Sequence, residues 1–397
     1  MNGVRNFLLL FFSFYFMQFL IKEYDGSNVK YLYIILPSSN DLFCGGIILI
    51  IIFIRYIIVF FYQSFIILFI MEIFTGYLIY NNGNFIISFL SGVFSIISTL
   101  KIYSFLVTIR QLKMKNKKDK NDGVYNYSGG LTNEDVIGIR SKDPYKYSKI
   151  SLYSESSVKD YDDGNNLIEE NIYDKKYYLR FIFTPTLIYS DNLLCEFSLR
   201  KTLLHFFGVV STAILTLLFN IYYFIPQIIR IGSVFNCYSS IDNLFTMFFI
   251  GFIEWILIFL GFFHFYLNFM SALTLYPYES ECWWNVKKVS LYWRYWNSPT
   301  HYWMKEYVYI KPKSNVEKIF SIFHVFFVSG ILHEYLFFLS FKKIRFIGLM
   351  SMLSHPIIMK VGDMFYGCGL GNLFFWISFS LVGFPVCMLK TYEYLNK

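Results

Sequence analysis

Charge is scarce in this chain. Only 16% of its 397 residues are Asp, Glu, Lys or Arg, where a soluble globular domain carries about 25%. With 56% hydrophobic residues and a mean hydropathy of +0.45, this excludes an ordinary soluble domain and points to a polytopic membrane protein. Alanine is nearly missing, with Ala213 and Ala272 alone, while Phe (47) and Tyr (34) abound. That skew resembles codon bias, so single Phe and Tyr residues carry little weight and Trp, His, Pro and Gly carry more. The six cysteines, at 44, 195, 237, 282, 368 and 387, form no CxxC or zinc spacing. Neither a disulfide framework nor a metal site is indicated. No internal repeat of fixed period is visible.

What the chain has is long apolar runs. They lie at about 6–22, 43–61, 64–81, 85–108, 201–229, 243–272, 317–341, 344–365 and 371–391, each close to the length that crosses a bilayer as a helix. The expected fold class is therefore all-α, with about nine transmembrane helices. Phe7 to Ile21 lacks a small-residue cleavage site and reads as a retained first helix. Leu42 to Tyr80 is too long for one span, and a break is expected around Tyr62–Ser64. Three segments follow: 1–110 with four spans, a polar and largely disordered loop at 111–176, and 177–397 with five spans. The loop opens with Lys113, Lys115, Lys117, Lys118 and Lys120, which argues for the cytosolic side. The 273–316 segment falls on the same side. The turn bearing Lys342, Lys343 and Arg345 falls on the opposite side, against the positive-inside rule. The net charge of +8 reflects loops facing anionic lipid, not nucleic acid.

His333 and Glu334 sit inside the 23-residue apolar run Ile319–Phe341. Ionisable groups at mid-span cost roughly 2.5–3.5 kcal/mol each on insertion scales. Packing alone does not explain such a cost, since Leu or Phe would pack better. His205, His264 and His324 are single polar residues on apolar stretches, for which a hydrogen-bonded structural role is favoured. Glu254 is a second intramembrane carboxylate, with structural and functional readings evenly balanced. His355 precedes Pro356, which can free backbone groups in a helix, and is a site candidate.

Five of the seven Trp fall between 283 and 303. Trp293, Trp296, Thr300, Trp303 and Tyr307 recur at intervals of three and four, so they share one helix face if Pro299 only kinks the helix. An interfacial amphipathic helix accounts for the Trp and Lys content. It does not account for Asn285, Asn297 and His301. A basic, aromatic, amide-bearing element beside an intramembrane His suits an anionic nucleotide carrier with a fatty tail, such as acyl-CoA.

These residues also resemble a known family. The order Trp283-Trp284-Asn285, then Trp293, Trp296-Asn297, Pro299, His301 and Trp303, then His333-Glu334-Tyr335, then Gly371-Asn372 with Trp376, is similar to the membrane-bound O-acyltransferases. Upstream, Phe183 to Tyr189 and Leu199-Arg200-Lys201 resemble the family's FAPTLCY and LLRR segments. The likeness covers about 177–394. Pro299 and the Gly371-Asn372 segment favour the branch that acylates diacylglycerol over the sterol branch. Three departures stand out. The first half of the family's FYxDWWN is lost at Glu279 to Cys282, and family glutamines fall on His355 and Phe384.

The resemblance implies a bundle around a membrane-embedded reaction chamber with a cytosolic amphipathic element. It implies transfer of a fatty acyl chain from acyl-CoA, as co-substrate and without a cofactor or metal, to the hydroxyl of diacylglycerol. His333 would be the general base, Asn285 a donor near the thioester, and Glu334 an orienting group. Trp284, Trp293, Trp296, Asn297, His301, Trp303, Lys305, Tyr309 and His355 would line the substrates. The implied location is the endoplasmic reticulum membrane, as a multi-pass protein and a homodimer. The rivals are a sterol or fatty-alcohol acyltransferase, a divergent inactive relative and, from another class, a membrane transporter. A transporter would be expected to show inverted repeats or paired broken helices, which the sequence does not.

Overall fold

A computed structural model describes residues 37–82, 84–121, 175–189, 196–228, 241–278, 283, 286, 288–364 and 374. The spans expected at 6–22 and 371–391, most of the polar loop, and Trp284, Asn285, Gly371, Asn372, Trp376 and Phe384 lie outside the described residues. Among the described residues the chain is all-helical, without a strand.

Helix α1 spans Ser39–Tyr62. It opens on a capping box, in which the Ser38 hydroxyl accepts the Asp41 N–H and the Asp41 carboxylate accepts the Ser38 N–H. It stops at Gln63, whose φ of 47° is left-handed. Ser64 then caps α2, Phe65–Asn81. The break expected around Tyr62–Ser64 is thus made by a left-handed residue followed by a new cap. Helix α3, Phe85–Asn121, runs past the expected boundary at 110. No Gly or Pro interrupts it after Gly92, and Lys is an adequate helix former.

Helix α4 is Lys175–Phe183, followed by a non-helical stretch to Tyr189. Helix α5, Leu199–Phe219, continues through a π-helical turn, Asn220–Phe224. Helix α6, Ile241–Ile258, continues through a second π-helical stretch, Phe259–Tyr266, into α7, Leu267–Thr274. The last four are α8 (Val289–Tyr295), α9 (Ser298–Tyr307), α10 (Asn315–Phe341) and α11 (Ile347–Met364).

Five described helical stretches are long and apolar enough to cross a membrane: Ser39–Tyr62, Phe85–Met114, Leu199–Ile228, Ile250–Thr274 and Asn315–Phe341. Helix α2 is shorter. Helix α11 occupies the position of the eighth expected span but is not among the five.

One expectation is corrected. Pro299 does not kink a single Trp-bearing helix. It sits in the first turn of a new one, α9, where a missing N–H costs nothing. Asn297 caps that helix, its side chain accepting the Thr300 N–H at 3.2 Å. The tryptophans of α8 and α9 therefore do not share one face.

Helices α10 and α11 pack closely side by side. Two glycines permit it. A Cβ on Gly348 would lie 2.8 Å from the Glu334 backbone nitrogen and 2.9 Å from the His333 carbonyl carbon. One on Gly330 would lie 3.1 Å from the Leu349 Cα. Backbone cannot yield as a flexible side chain can. Gly348→Ala is expected to cost about 1–3 kcal/mol, as overpacking does, and to lower the thermal midpoint of the detergent-solubilised protein. Gly46→Ala, where a Cβ meets nothing within 4 Å, should leave the midpoint unchanged or raise it, because Ala is the better helix former.

Candidate active site

Helix α10 places three consecutive polar side chains in an apolar span, and the helical step of about 100° sends them in different directions. Each finds a different use.

His333 turns its Nδ1 to the Ser329 carbonyl, 2.8 Å away. A carbonyl only accepts, so Nδ1 carries a proton, and in the neutral ring Nε2 keeps its lone pair. His333 retains exposed surface on this span. A neutral imidazole with a free, fixed Nε2 can take a proton from a hydroxyl.

Glu334 turns away from this position. Its Oε1 accepts the N–H groups of Arg345 (2.9 Å) and Phe346 (2.8 Å), and its Oε2 accepts that of Gly348 (2.9 Å). A carboxylate at the start of α11 satisfies orphan amides and complements the helix dipole. It also stabilises a turn in which Lys342 (φ 58°) and Phe346 (φ 57°) are both left-handed. Glu334 therefore holds α11 against α10.

Tyr335 reaches a third direction, donating its hydroxyl to Glu72 on α2 at 2.9 Å.

Helix α11 brings His355 into the same neighbourhood, close enough to His333 for the two to interact electrostatically. Its Nδ1 faces the Ser351 carbonyl at 2.6 Å, so it too presents Nε2. The ring meets Trp293 edge-on at 4.5 Å and lies parallel to Phe326 at 6.1 Å. Trp296 stacks on Trp255 at 4.1 Å and packs against Phe263 and Trp283. Trp293 and Trp296 thus belong to one aromatic cluster with Phe259, Trp283 and Tyr292, beside His355. The Ser290 N–H donates to Asp363 at 3.2 Å, tying α8 to the end of α11.

Trp303 belongs elsewhere. It is buried, donates its indole N–H to the Leu100 carbonyl at 3.0 Å, and packs with Tyr103 and Tyr307. The Tyr307 and Ser104 hydroxyls are 2.7 Å apart, and Ser104 also accepts the Tyr189 N–H at 2.7 Å. Burial pushes the Tyr307 phenol up to about 12. Helix α9 is docked on α3. His301 is half-buried beside Tyr302, Tyr309 is half-buried and Lys305 is exposed. Asn297 spends its oxygen on the α9 cap. The expected lining set therefore divides between the histidine neighbourhood and the α3 face.

Among the weaker candidates, Glu254 is buried and accepts the Asn220 amide at 3.0 Å, at the π-helical turn after α5. His205 and His264 meet edge-on, with ring centroids 6.1 Å apart. Two cations have structural roles that the sequence reading missed. Lys101 donates to the carbonyls of Phe181, Ile182 and Thr184 at 2.6–2.9 Å, closing the end of α4. Lys342 donates to the carbonyls of Ile79 and Leu339 and to the Ser88 hydroxyl. Its charge is committed inside the protein, which leaves the exposed Lys343 and Arg345 as the charges of that turn at odds with the positive-inside rule. Among the described residues no group of three His, Cys, Asp or Glu side chains is placed to hold a metal ion.

The model of the membrane-bound O-acyltransferase family matches residues 176–389, more than half of the chain, and the chain belongs to that family. Relatives named diacylglycerol O-acyltransferase 1 follow. The Arabidopsis thaliana protein is 33% identical over 145 residues, which is 35% of this chain and 28% of that protein. The Corylus americana protein is 32% identical over 181 residues, 44% of this chain and 31% of the relative. The Dictyostelium discoideum protein is 28% identical over 222 residues, 54% of this chain and 36% of the relative. The chain thus spans about a third of the length of the curated relatives it matches.

Removing the Glu334 carboxylate should loosen the start of α11. In Glu334→Ala, hydrogen–deuterium exchange at the amides of Arg345, Phe346 and Gly348 is expected to accelerate by roughly tenfold or more, given about 1.5–3 kcal/mol for a hydrogen bond to a charged group. His333→Ala should leave those amides unchanged.

Proposed function

We propose that this membrane-bound O-acyltransferase transfers a fatty acyl chain from acyl-CoA to the hydroxyl of diacylglycerol, forming triacylglycerol and CoA. The observation that carries the reading is His333. It is an imidazole on an apolar spanning helix, with Nδ1 held by the Ser329 carbonyl and Nε2 left over. The family match and the names of the relatives support the same chemistry.

In this mechanism the acceptor hydroxyl gives its proton to His333 Nε2 as its oxygen attacks the thioester carbonyl. The C–O bond forms, the C–S bond breaks, and CoA leaves as thiolate, which takes the proton back from the imidazolium. Ser329 holds the tautomer throughout. Asn285 donates a hydrogen bond to the developing oxyanion. Glu334 acts as a positioning residue through α11. Trp293, Trp296 and His355 line the acyl and acceptor region, while Trp284, His301, Lys305 and Tyr309 serve the CoA portion. Acyl-CoA, diacylglycerol and membrane lipid are the partners, and no further cofactor enters. The wider frame of this reading is a nine-span homodimer in the endoplasmic reticulum membrane, with 111–176 and 273–316 cytosolic. In a dry interior an uncharged acceptor is needed, and diacylglycerol meets that condition.

The test supplies purified full-length protein with labelled oleoyl-CoA and, separately, diacylglycerol, cholesterol or a long-chain alcohol. Triacylglycerol should form fastest. Esterified cholesterol without triacylglycerol would move the protein to the sterol branch. His333→Ala should lower turnover at least about a hundredfold, the low end for a general base, with acyl-CoA binding retained. Near-normal turnover in that variant would sink the mechanism. Cysteine labelling of sealed microsomes should reach 111–176 and 273–316 from the cytosolic face alone.

A further inference from the structure

An ion pair lies at the back of the helix that carries His333. Arg55 on α1 is fully buried, and its Nη2 is 2.7 Å from Glu72 Oε2 on α2. Two hydroxyls from α3 join it. Ser95 accepts from Arg55 Nη1 at 2.8 Å and lies 3.0 Å from both Glu72 oxygens. Thr99 accepts from Arg55 Nη2 and donates to Glu72 Oε2 at 2.5 Å. The fourth donor to Glu72 is the Tyr335 hydroxyl of α10. A buried ion pair is not needed for stability, since packed apolar residues usually serve as well or better. Charges in a membrane span by default call for a functional account.

The geometry points to Glu72, held by Arg55, as a positioning residue that sets the rotation of α10 through Tyr335 and so aims His333 at the acceptor hydroxyl. This rests on His333 being the base. Tyr335 is two residues from His333, about 200° around the helix, so the anchor grips the side of α10 opposite the reacting nitrogen. The carboxylate has a fixed place, because Arg55, Ser95 and Thr99 hold it from two other helices. A second feature is built for the contact. Gly76 lies one turn beyond Glu72 on α2, and a Cβ there would collide with the Tyr335 hydroxyl. Only a residue without a side chain lets the phenol reach Glu72. Below it, Phe338 stacks on Tyr80 at 5.0 Å and Lys342 binds the Ile79 carbonyl at 2.9 Å. Three and seven residues on from Tyr335, these contacts lie on the same face of α10, and the Tyr335 bond is the one nearest His333.

The experiment uses the full-length protein in lipid nanodiscs and measures kcat and the acyl-CoA KM per folded molecule. Tyr335→Phe removes one hydroxyl, and Gly76→Ala displaces the same hydroxyl while Tyr335 itself stays unaltered. Each is expected to lower kcat about tenfold with the acyl-CoA KM unchanged. That lies between the worth of one interhelical hydrogen bond and the roughly hundredfold cost of a 1 Å misplacement. The double variant should be no worse than either single one, because both break the same bond. Glu72→Gln keeps an acceptor oxygen for Tyr335 and should retain more kcat than Glu72→Ala. Unchanged kcat in folded Tyr335→Phe, a rise in KM alone, or losses that multiply in the double variant would each overturn the positioning role while leaving the base in place. Should Tyr335→Phe not fold, the same decision falls to kcat in Gly76→Ala. Turnover surviving in His333→Ala overturns the base and this proposal with it.

Discussion

A polar group inside a membrane bundle must find its partner in the protein, because hydrocarbon offers none. That constraint organises helix α10 and much of what surrounds it. His333, Glu334 and Tyr335 are adjacent in sequence and therefore face different ways, so no single partner can satisfy them. The Ser329 carbonyl takes the His333 Nδ1 proton, the amides opening α11 take Glu334, and Glu72 takes Tyr335. After these interactions His333 Nε2 keeps a basic lone pair that none of these bonds occupies. The chemistry assigned to the site is what the structural bonds leave over.

The aromatic clusters follow a related rule. Trp side chains bury large apolar surface and still need a place for one N–H. Trp303 meets that need on the Leu100 carbonyl of α3, which fixes α9 against the N-terminal helices. Trp293 and Trp296 instead gather with Phe259 and Trp283 and border His355. The short break at Asn297 lets seven-residue α8 and ten-residue α9 face two different walls. An unbroken helix would have sent all its tryptophans to one.

The spans were legible in the sequence wherever hydropathy alone decides them, as at α1, α3 and α10. The break after Tyr62 was legible as well, since one apolar run exceeded the thickness of a bilayer. His333 stood out because its cost in lipid is large and local. The two-helix form of the Trp-rich segment was missed, although Asn297 followed by Pro299 is a start signal. A period of three and four passes unbroken through such a junction and hides it. The partners of Tyr335 and Lys342 were not legible at all. Glu72 is 263 residues from Tyr335 in the chain, and nothing local records that distance. Lys342 read as a misplaced topological charge because the positive-inside rule counts charges that face water, whereas this one is bound by Ile79, Ser88 and Leu339.

These cross-chain bonds also bear on what counts as a unit here. The family match begins at residue 176, so α1, α2 and α3 lie outside it. Yet Tyr335, Lys342, Trp303 and Tyr307, all within the matched region, take their partners from Glu72, Ile79, Ser88, Leu100 and Ser104. Lys101 in turn closes α4. If the matched region stood alone, each of those groups that then faced lipid would have its bond unmade, at about 1–3 kcal/mol apiece. Several such losses approach the whole 5–15 kcal/mol margin by which a protein is folded. The three N-terminal helices therefore belong to the same folding unit as the matched region, although the family model does not reach them.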